Sequence, residues 1–327
     1  MKLLIAIIQI YALWIFISAG ICFGQNSDRS AIAPISSSTD AIGIEMKRYT
    51  YKLSAGQPRD LEVYFPKGHD PLNAKRPCVL LFHGGAWGGG DLKQFQRFCQ
   101  YFARRGLVAV TANYQLVPAG KKLPIGVSRK QFCITDAKSA IRWIKQHSHK
   151  LGIDPEKVIT GGGSAGGHIS ILATTNVGLN DPADPKEFDT SVVAYLLFNP
   201  ALAPFDAKFP EVNAMKHLSN EFAPAIVFFG TEDKKWLLGW TAAHTRLKDL
   251  GVGDRINLWY AEGAGHSFFG KKPWFNHVLI EADRFLVSQG LLSSQTTQKM
   301  TTDDKKLSKS TELDSPNQLK KQKPTKK

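Results

Sequence analysis

The stretch VITGGGSAGGHIS, from Val158 to Ser170, decides how this chain is read. It satisfies two motifs at once. As G-x-S-x-G, residues 162–166 form a nucleophile elbow, a sharp strand-to-helix turn with Ser164 at its tip. As G-x-G-x-x-G, Gly161, Gly163 and Gly166 form a dinucleotide fingerprint, a glycine-lined turn that cradles a pyrophosphate. The apolar run before it and Ile169, Ile171 and Leu172 after it give the strand–loop–helix context that both motifs need.

The rest of the chain separates them. A dinucleotide fold requires an acidic residue about 20 positions on, at the end of the next strand, to bind a ribose. Asp181 has that spacing but lies in GLNDPADP, which is a turn. An elbow makes other demands. A serine hydroxyl needs a base, the base needs a carboxylate to fix its tautomer, and the oxyanion needs preorganised N–H donors. In a doubly wound sheet these come from different strand ends, in the order Ser, acid, His. Each has a counterpart here. AIVFFG is followed by TEDKKW, placing Asp233 just past a buried strand, with Glu232 as the fallback acid and a helix cap as the alternative role of Asp233. NLWYAEG is followed by AGHSFFG, placing His266 in a glycine-flanked loop. PCVLLF is followed by HGGAWGGG, whose Gly84 and Gly85 N–H groups, with that of Ala165, are the expected oxyanion donors. Trp87, His168 and Tyr114 are candidates for the pocket wall, with core packing as the competing role.

The elements around these motifs agree. MKRYTYKL and DLEVYF alternate as half-buried antiparallel strands do. PCVLLF, LVAVTANY, KVITGG, VVAYLLFNP and AIVFFG are continuous apolar runs, as strands buried on both faces require. Helical patterns over residues 91–105, 128–147, 165–175, 234–250 and 274–289 alternate with them. The expected fold class is therefore α/β: a mainly parallel eight-stranded sheet with helices on both faces. The segment from Asn199 to Glu221, broken by prolines, reads as a small lid.

The 327 residues carry a net charge of +14, but the tail from Lys299 onward has nine Lys against four acidic residues and supplies +5 of it. The body has no dense Lys/Arg stripe with interleaved aromatics, so nucleic acid is not an expected partner. Residues 1–24, with Lys2 before an apolar run, read as a signal peptide; the run's length also suits an uncleaved anchor, the one route by which a membrane would be involved. Residues 25–44 read as a linker, 45–292 as the catalytic domain and 293–327 as a disordered Lys-rich tail. Beyond Cys22 of the leader, Cys78, Cys99 and Cys133 remain; a Cys99–Cys133 bridge has no spacing signature, and without C-x-x-C a Cys metal site is not expected. Oligomeric state is not legible.

HGGAW, GGSAGGH, GTED and GHSFF together resemble the α/β-hydrolase fold esterases, specifically the esterase/lipase group of hormone-sensitive lipase and the feruloyl and acetyl-xylan esterase-like enzymes. ANYQLVP and DAKSAIRWIKQHSHKLGIDPEKV are similar to further stretches of that group, so the resemblance spans residues 45–291. It implies the α/β-hydrolase fold, Ser164, Asp233 and His266 as a triad, and ester hydrolysis with no cofactor and no metal. Two positions depart from the pattern: Gln115 stands where Arg usually follows the Tyr, and Ala86 replaces the third glycine of the loop. The short insert after Asn199 favours small acyl groups. The expectation is an exported serine carboxylesterase acting on short acyl, acetyl-type esters, small molecules or carbohydrates. An amidase or formamidase of the same fold and a catalytically inactive binding module are the rival readings.

Overall fold

Residues 32–203 and 208–310 of this computed structural model are described below; the leader and residues 311–327 lie outside them. Ten strands make one sheet: β1 (Ser36–Thr39), β2 (Glu45–Ser54), β3 (Gln57–Phe65), β4 (Arg76–Phe82), β5 (Val108–Ala112), β6 (Ile153–Gly163), β7 (Ala194–Phe198), β8 (Ala225–Gly230), β9 (Ile256–Ala261) and β10 (Ser308–Lys309). Their spatial order is β1-β2-β3-β5-β4-β6-β7-β8-β9-β10. From β5 to β9 every pairing is parallel, and the strands outside that block pair antiparallel. The helices are α1 (Lys93–Arg104), α2 (Arg129–Gln146), the single turn α3 (Ser148–Leu151), α4 (Ala165–Thr175), α5 (Lys234–Asp249) and α6 (Phe275–Ser288).

The central strands are apolar on both sides because both faces are covered. Val79, Leu81, Ile159, Leu196, Phe198 and Phe228 point to one face and join Phe95, Phe98, Phe102, Val278 and Phe285 of α1 and α6 in a single buried cluster. On the other face α2 and α4 pack together against the sheet, and Trp240 of α5 lies on Phe229 at a centroid distance of 6.4 Å. The start of α2 is fixed locally by a capping box. Ser128 accepts from the Lys130 N–H, and the Gln131 amide accepts the Ser128 N–H at 2.9 Å.

The sheet has two strands more than the eight expected, and both come from segments read as unstructured. In the nominal linker, the polar Ser36–Thr39 forms β1 with exposed side chains, held by its backbone ladder to β2, while Ile44 enters the core. In the nominal disordered tail, Leu307 is buried in the same cluster. Its N–H donates to His277 Nδ1 at 2.5 Å, Lys305 N–H donates to Pro273 O at 2.9 Å, and Ser308–Lys309 pairs with β9. Residues 293–310 are therefore not a solvated tail; one buried leucine and a few backbone bonds anchor them. Cys78, Cys99 and Cys133 are free and buried, with no Cys99–Cys133 bridge. Among the described residues no helix is long and apolar enough to cross a membrane.

Candidate active site

Ser164 sits where β6 turns into α4. Its backbone is at φ +52°, ψ −114°, a left-handed conformation that costs a non-glycine residue on the order of 1–3 kcal/mol. The turn is held from both sides: Ser164 N–H donates to Phe198 O at 2.9 Å, and Ser164 O accepts the Ala201 and His168 N–H groups. Gly161 lies so close to β7 that a Cβ there would meet Leu196 O at 1.9 Å, and one at Gly163 would meet the Phe269 ring at 2.5 Å. The glycines of the motif therefore relieve crowding in a sharp turn against its neighbours, as an elbow needs.

His266, on the loop after β9, joins Ser164 to Asp233. Its Nε2 lies 2.8 Å from Ser164 Oγ and its Nδ1 2.6 Å from Asp233 Oδ2. With Nδ1–H donating to the carboxylate, Nε2 is left to accept the serine proton. Asp233 occupies the N-cap position of α5, yet its side chain makes no cap hydrogen bond; it is buried and turned to the imidazole. Glu232 points elsewhere, exposed and paired with Lys234 at 3.0 Å. A third neighbour was not legible beforehand: Asn199, just past β7, donates from Nδ2 to Asp233 Oδ2 at 2.7 Å.

The oxyanion expectation needs one correction. The Gly84 N–H is already used, donating to Gln94 Oε1 at 2.6 Å, because the first turn of α1 carries that amide back over the loop. It is not open to a substrate in this arrangement. The N–H groups of Gly85 and Ala165 donate to no protein acceptor among the described residues. Gly85 has φ +121°, and a Cβ there would sit 2.1 Å from Gly89 O, so the loop closes tightly on itself at this glycine. Ala86 and Trp87 follow at φ +52° and +61°, which accounts for the glycine more usual at position 86.

Of the expected pocket residues, Trp87 is buried and is linked to the site through a second indole. Its ring lies 6.4 Å from that of Trp236, which in turn lies 6.3 Å from the His266 ring; Trp236 had no periodic signal to flag it. Tyr114 is a correction: it is fully buried, stacks on His83 at 4.4 Å, and donates from its hydroxyl to His83 O at 2.7 Å. It braces the root of the glycine loop and lines no open pocket. His168 is a second correction, with no exposed surface. Its Nδ1 accepts from Trp87 Nε1 at 3.3 Å and its Nε2–H donates to Val212 O at 2.9 Å, which bolts the described part of the insert to α4. Glu211 adds bonds from Gln131 at 2.5 Å and Asn176 at 2.6 Å. Gln115 takes a place in a polar network: its N–H donates to Asp136, whose charge is countered by Lys52 at 2.9 Å and Arg59 at 3.4 Å.

Burial, with a smaller contribution from the Lys130 charge, pushes the His168 pKa down to about 3. The folded state thus binds this proton far less readily than the unfolded chain. The stability it supports is fully present above the ordinary histidine value and drains away as pH falls from about 6.5 toward 3. By pH 5 the loss is on the order of 2 kcal/mol from this group. Thermal melts across pH 7 to 4.5 should show that fall, and His168→Gln should flatten it; parallel slopes for the two proteins would contradict the assignment.

A family model described as BD-FAE matches residues 61–197. An AB hydrolase superfamily protein of Schizosaccharomyces pombe is 29% identical over 170 residues, which are 52% of this chain and 45% of that protein. The probable carboxylic ester hydrolase LipM of Mycobacterium tuberculosis is 32% identical over 134 residues, 39% of this chain and 28% of that protein. The chain thus spans under half the length of these curated relatives. Propionate-bound esterase 2 of Thermogutta terrifontis is similar throughout: 31% identical with a TM-score of 0.69, covering 78% of this chain and 97% of that one.

Proposed function

The chain belongs to the α/β-hydrolase esterase/lipase family, and from that premise we propose that it is a serine carboxylesterase for short acyl esters. The observation that carries the proposal is the His266 ring, spanning Ser164 Oγ at 2.8 Å and Asp233 Oδ2 at 2.6 Å. Ser164 Oγ attacks the ester carbonyl while His266 Nε2 takes its proton. Asp233 keeps Nδ1 protonated and stabilises the imidazolium that forms. The Gly85 and Ala165 N–H groups receive the oxyanion; a donor of this kind is worth about 2.7–4 kcal/mol to the transition state. His266 then gives its proton to the leaving alcohol. A water deprotonated by His266 attacks the acyl-enzyme and releases the acid.

A short acyl group suits the insert bolted to α4 through His168 and the propionate that the similar esterase holds. The alcohol half is proposed to be a small molecule or a carbohydrate, presented outside the cytoplasm by the signal-like residues 1–24. Initial rates on p-nitrophenyl esters from acetate to decanoate, an acetylated oligosaccharide and an N-formyl amide test this. Acetate to butyrate should turn over fastest. Faster cleavage of the formamide would make the protein an amidase, and no turnover of any ester would remove the catalytic reading.

A further inference from the structure

Asn199 has features that packing alone does not explain. It follows β7 directly, is completely buried, and holds φ +48°, a left-handed conformation that asparagine tolerates better than most residues. Its backbone is fixed by the Asn199 N–H donating to Phe228 O at 2.8 Å. Its side-chain Nδ2 donates to Asp233 Oδ2 at 2.7 Å, while Oδ1, equally buried, has no hydrogen-bond partner among the described residues. The amide could not be turned the other way, since Oδ1 would then face a carboxylate oxygen. A buried amide kept for packing or for its own backbone turn would be expected to satisfy both ends. Here, among the described residues, the end that is paired is the one facing Asp233.

Asp233 Oδ2 therefore accepts two short bonds, from His266 Nδ1 and from Asn199 Nδ2. The two donors arrive from different strand ends and pin the oxygen between them. We infer that Asn199 is a positioning residue of the proposed relay: it turns the Asp233 carboxylate toward His266 and moderates the charge presented to the imidazole. The inference rests on the catalytic reading given above. Other charged groups on the surrounding elements are Glu232 and Lys234, which pair with each other, Lys235 over the Trp236 ring, Glu262 and Lys271 on the loop carrying His266, and Lys130 over the Trp87 ring. Among the described residues, the hydrogen bonds to the Asp233 carboxylate are those from His266 and Asn199.

The direction of the effect follows from the hydrogen bond. A donor on Oδ2 stabilises the ionised carboxylate and draws off part of its negative charge. Without it the imidazolium is held more tightly, and His266 becomes basic only at higher pH. Asn199→Asp keeps the shape and the tolerance of positive φ but exchanges the donor for a second carboxylate. Asn199→Gly removes the side chain and accepts the same backbone. Profiles of kcat/KM against pH for both, with Ser164→Ala as reference, form the test. The acid limb should move to higher pH by about one unit or more in Asn199→Asp and in the same direction, by less, in Asn199→Gly. Plateau kcat should fall about tenfold while KM stays within about twofold, the signature of misplacement rather than lost binding. If Asn199→Asp does not fold, Asn199→Gly alone carries the comparison. An acid limb and kcat equal to wild type in the folded variant, with Ser164→Ala inactive, would overturn the inference and leave the catalytic reading standing. Turnover retained by Ser164→Ala would overturn the catalytic reading instead.

Discussion

Ser164→Ala should lower kcat by about five to six orders of magnitude while leaving the fold in place. The scale comes from removing the nucleophile of a three-residue relay, where one substitution costs about as much as removing all three. Alanine accepts the φ +52° of the elbow no worse than serine does, and among the described residues the hydroxyl's one side-chain hydrogen bond is with His266 at 2.8 Å. The Gly85 and Ala165 N–H groups would remain, so a residue of catalysis over water, about 10³-fold, is expected to persist. Single-turnover assays and labelling by a fluorophosphonate probe check this. A loss below about 100-fold, or undiminished labelling, would mean that the attacking group lies elsewhere.

The second large effect is on folding. Gly166→Ala should remove most of the stability. A Cβ at Gly166 would stand 1.9 Å from Phe82 O and 2.7 Å from His83 O. Neither oxygen can move aside: Phe82 is held in the ladder between β5 and β6, and His83 opens the glycine loop under Tyr114. Added methylenes in a packed core typically cost about 1–3 kcal/mol where side chains can shift. Against fixed backbone the cost should exceed about 4 kcal/mol, enough to unfold many domains. Gly265→Ala is the contrast, since a Cβ there meets nothing within 4 Å. Urea midpoints for the two variants should differ widely; similar midpoints would mean that the elbow is not packed against β4 in this way.

How far the chain could be read in advance depended on whether a feature has a period or a place. The parallel strands announce themselves as unbroken apolar runs, because burial on both faces leaves no room for alternation. Ser164, Asp233 and His266 are far apart in sequence but share a place, the end of such a run, and so could be assembled beforehand. Gln94 and Asn199 could not. Each is one polar residue whose importance lies in which atom it reaches, Gly84 N or Asp233 Oδ2, and no local pattern encodes that. The same limit explains Tyr114 and His168: aromatic residues beside a motif look alike whether they face the substrate or brace the loop beneath it. The tail reads as disordered for a related reason. A single Leu307 among polar residues carries too little apolar surface to register in composition, yet one filled site in the core is enough to dock a segment.

That docking matters beyond the chain's own stability. An open sheet ends in two rows of unpaired amides and carbonyls, which invite pairing with another molecule. Here the rows are taken by Ser36–Thr39 on one side and Ser308–Lys309 on the other, short strands whose side chains are all exposed and polar. They are poor templates for further addition, and the second lies beside Lys305 and Lys306. The polar ends of this domain thus act as bumpers, keeping one copy's sheet from continuing into the next.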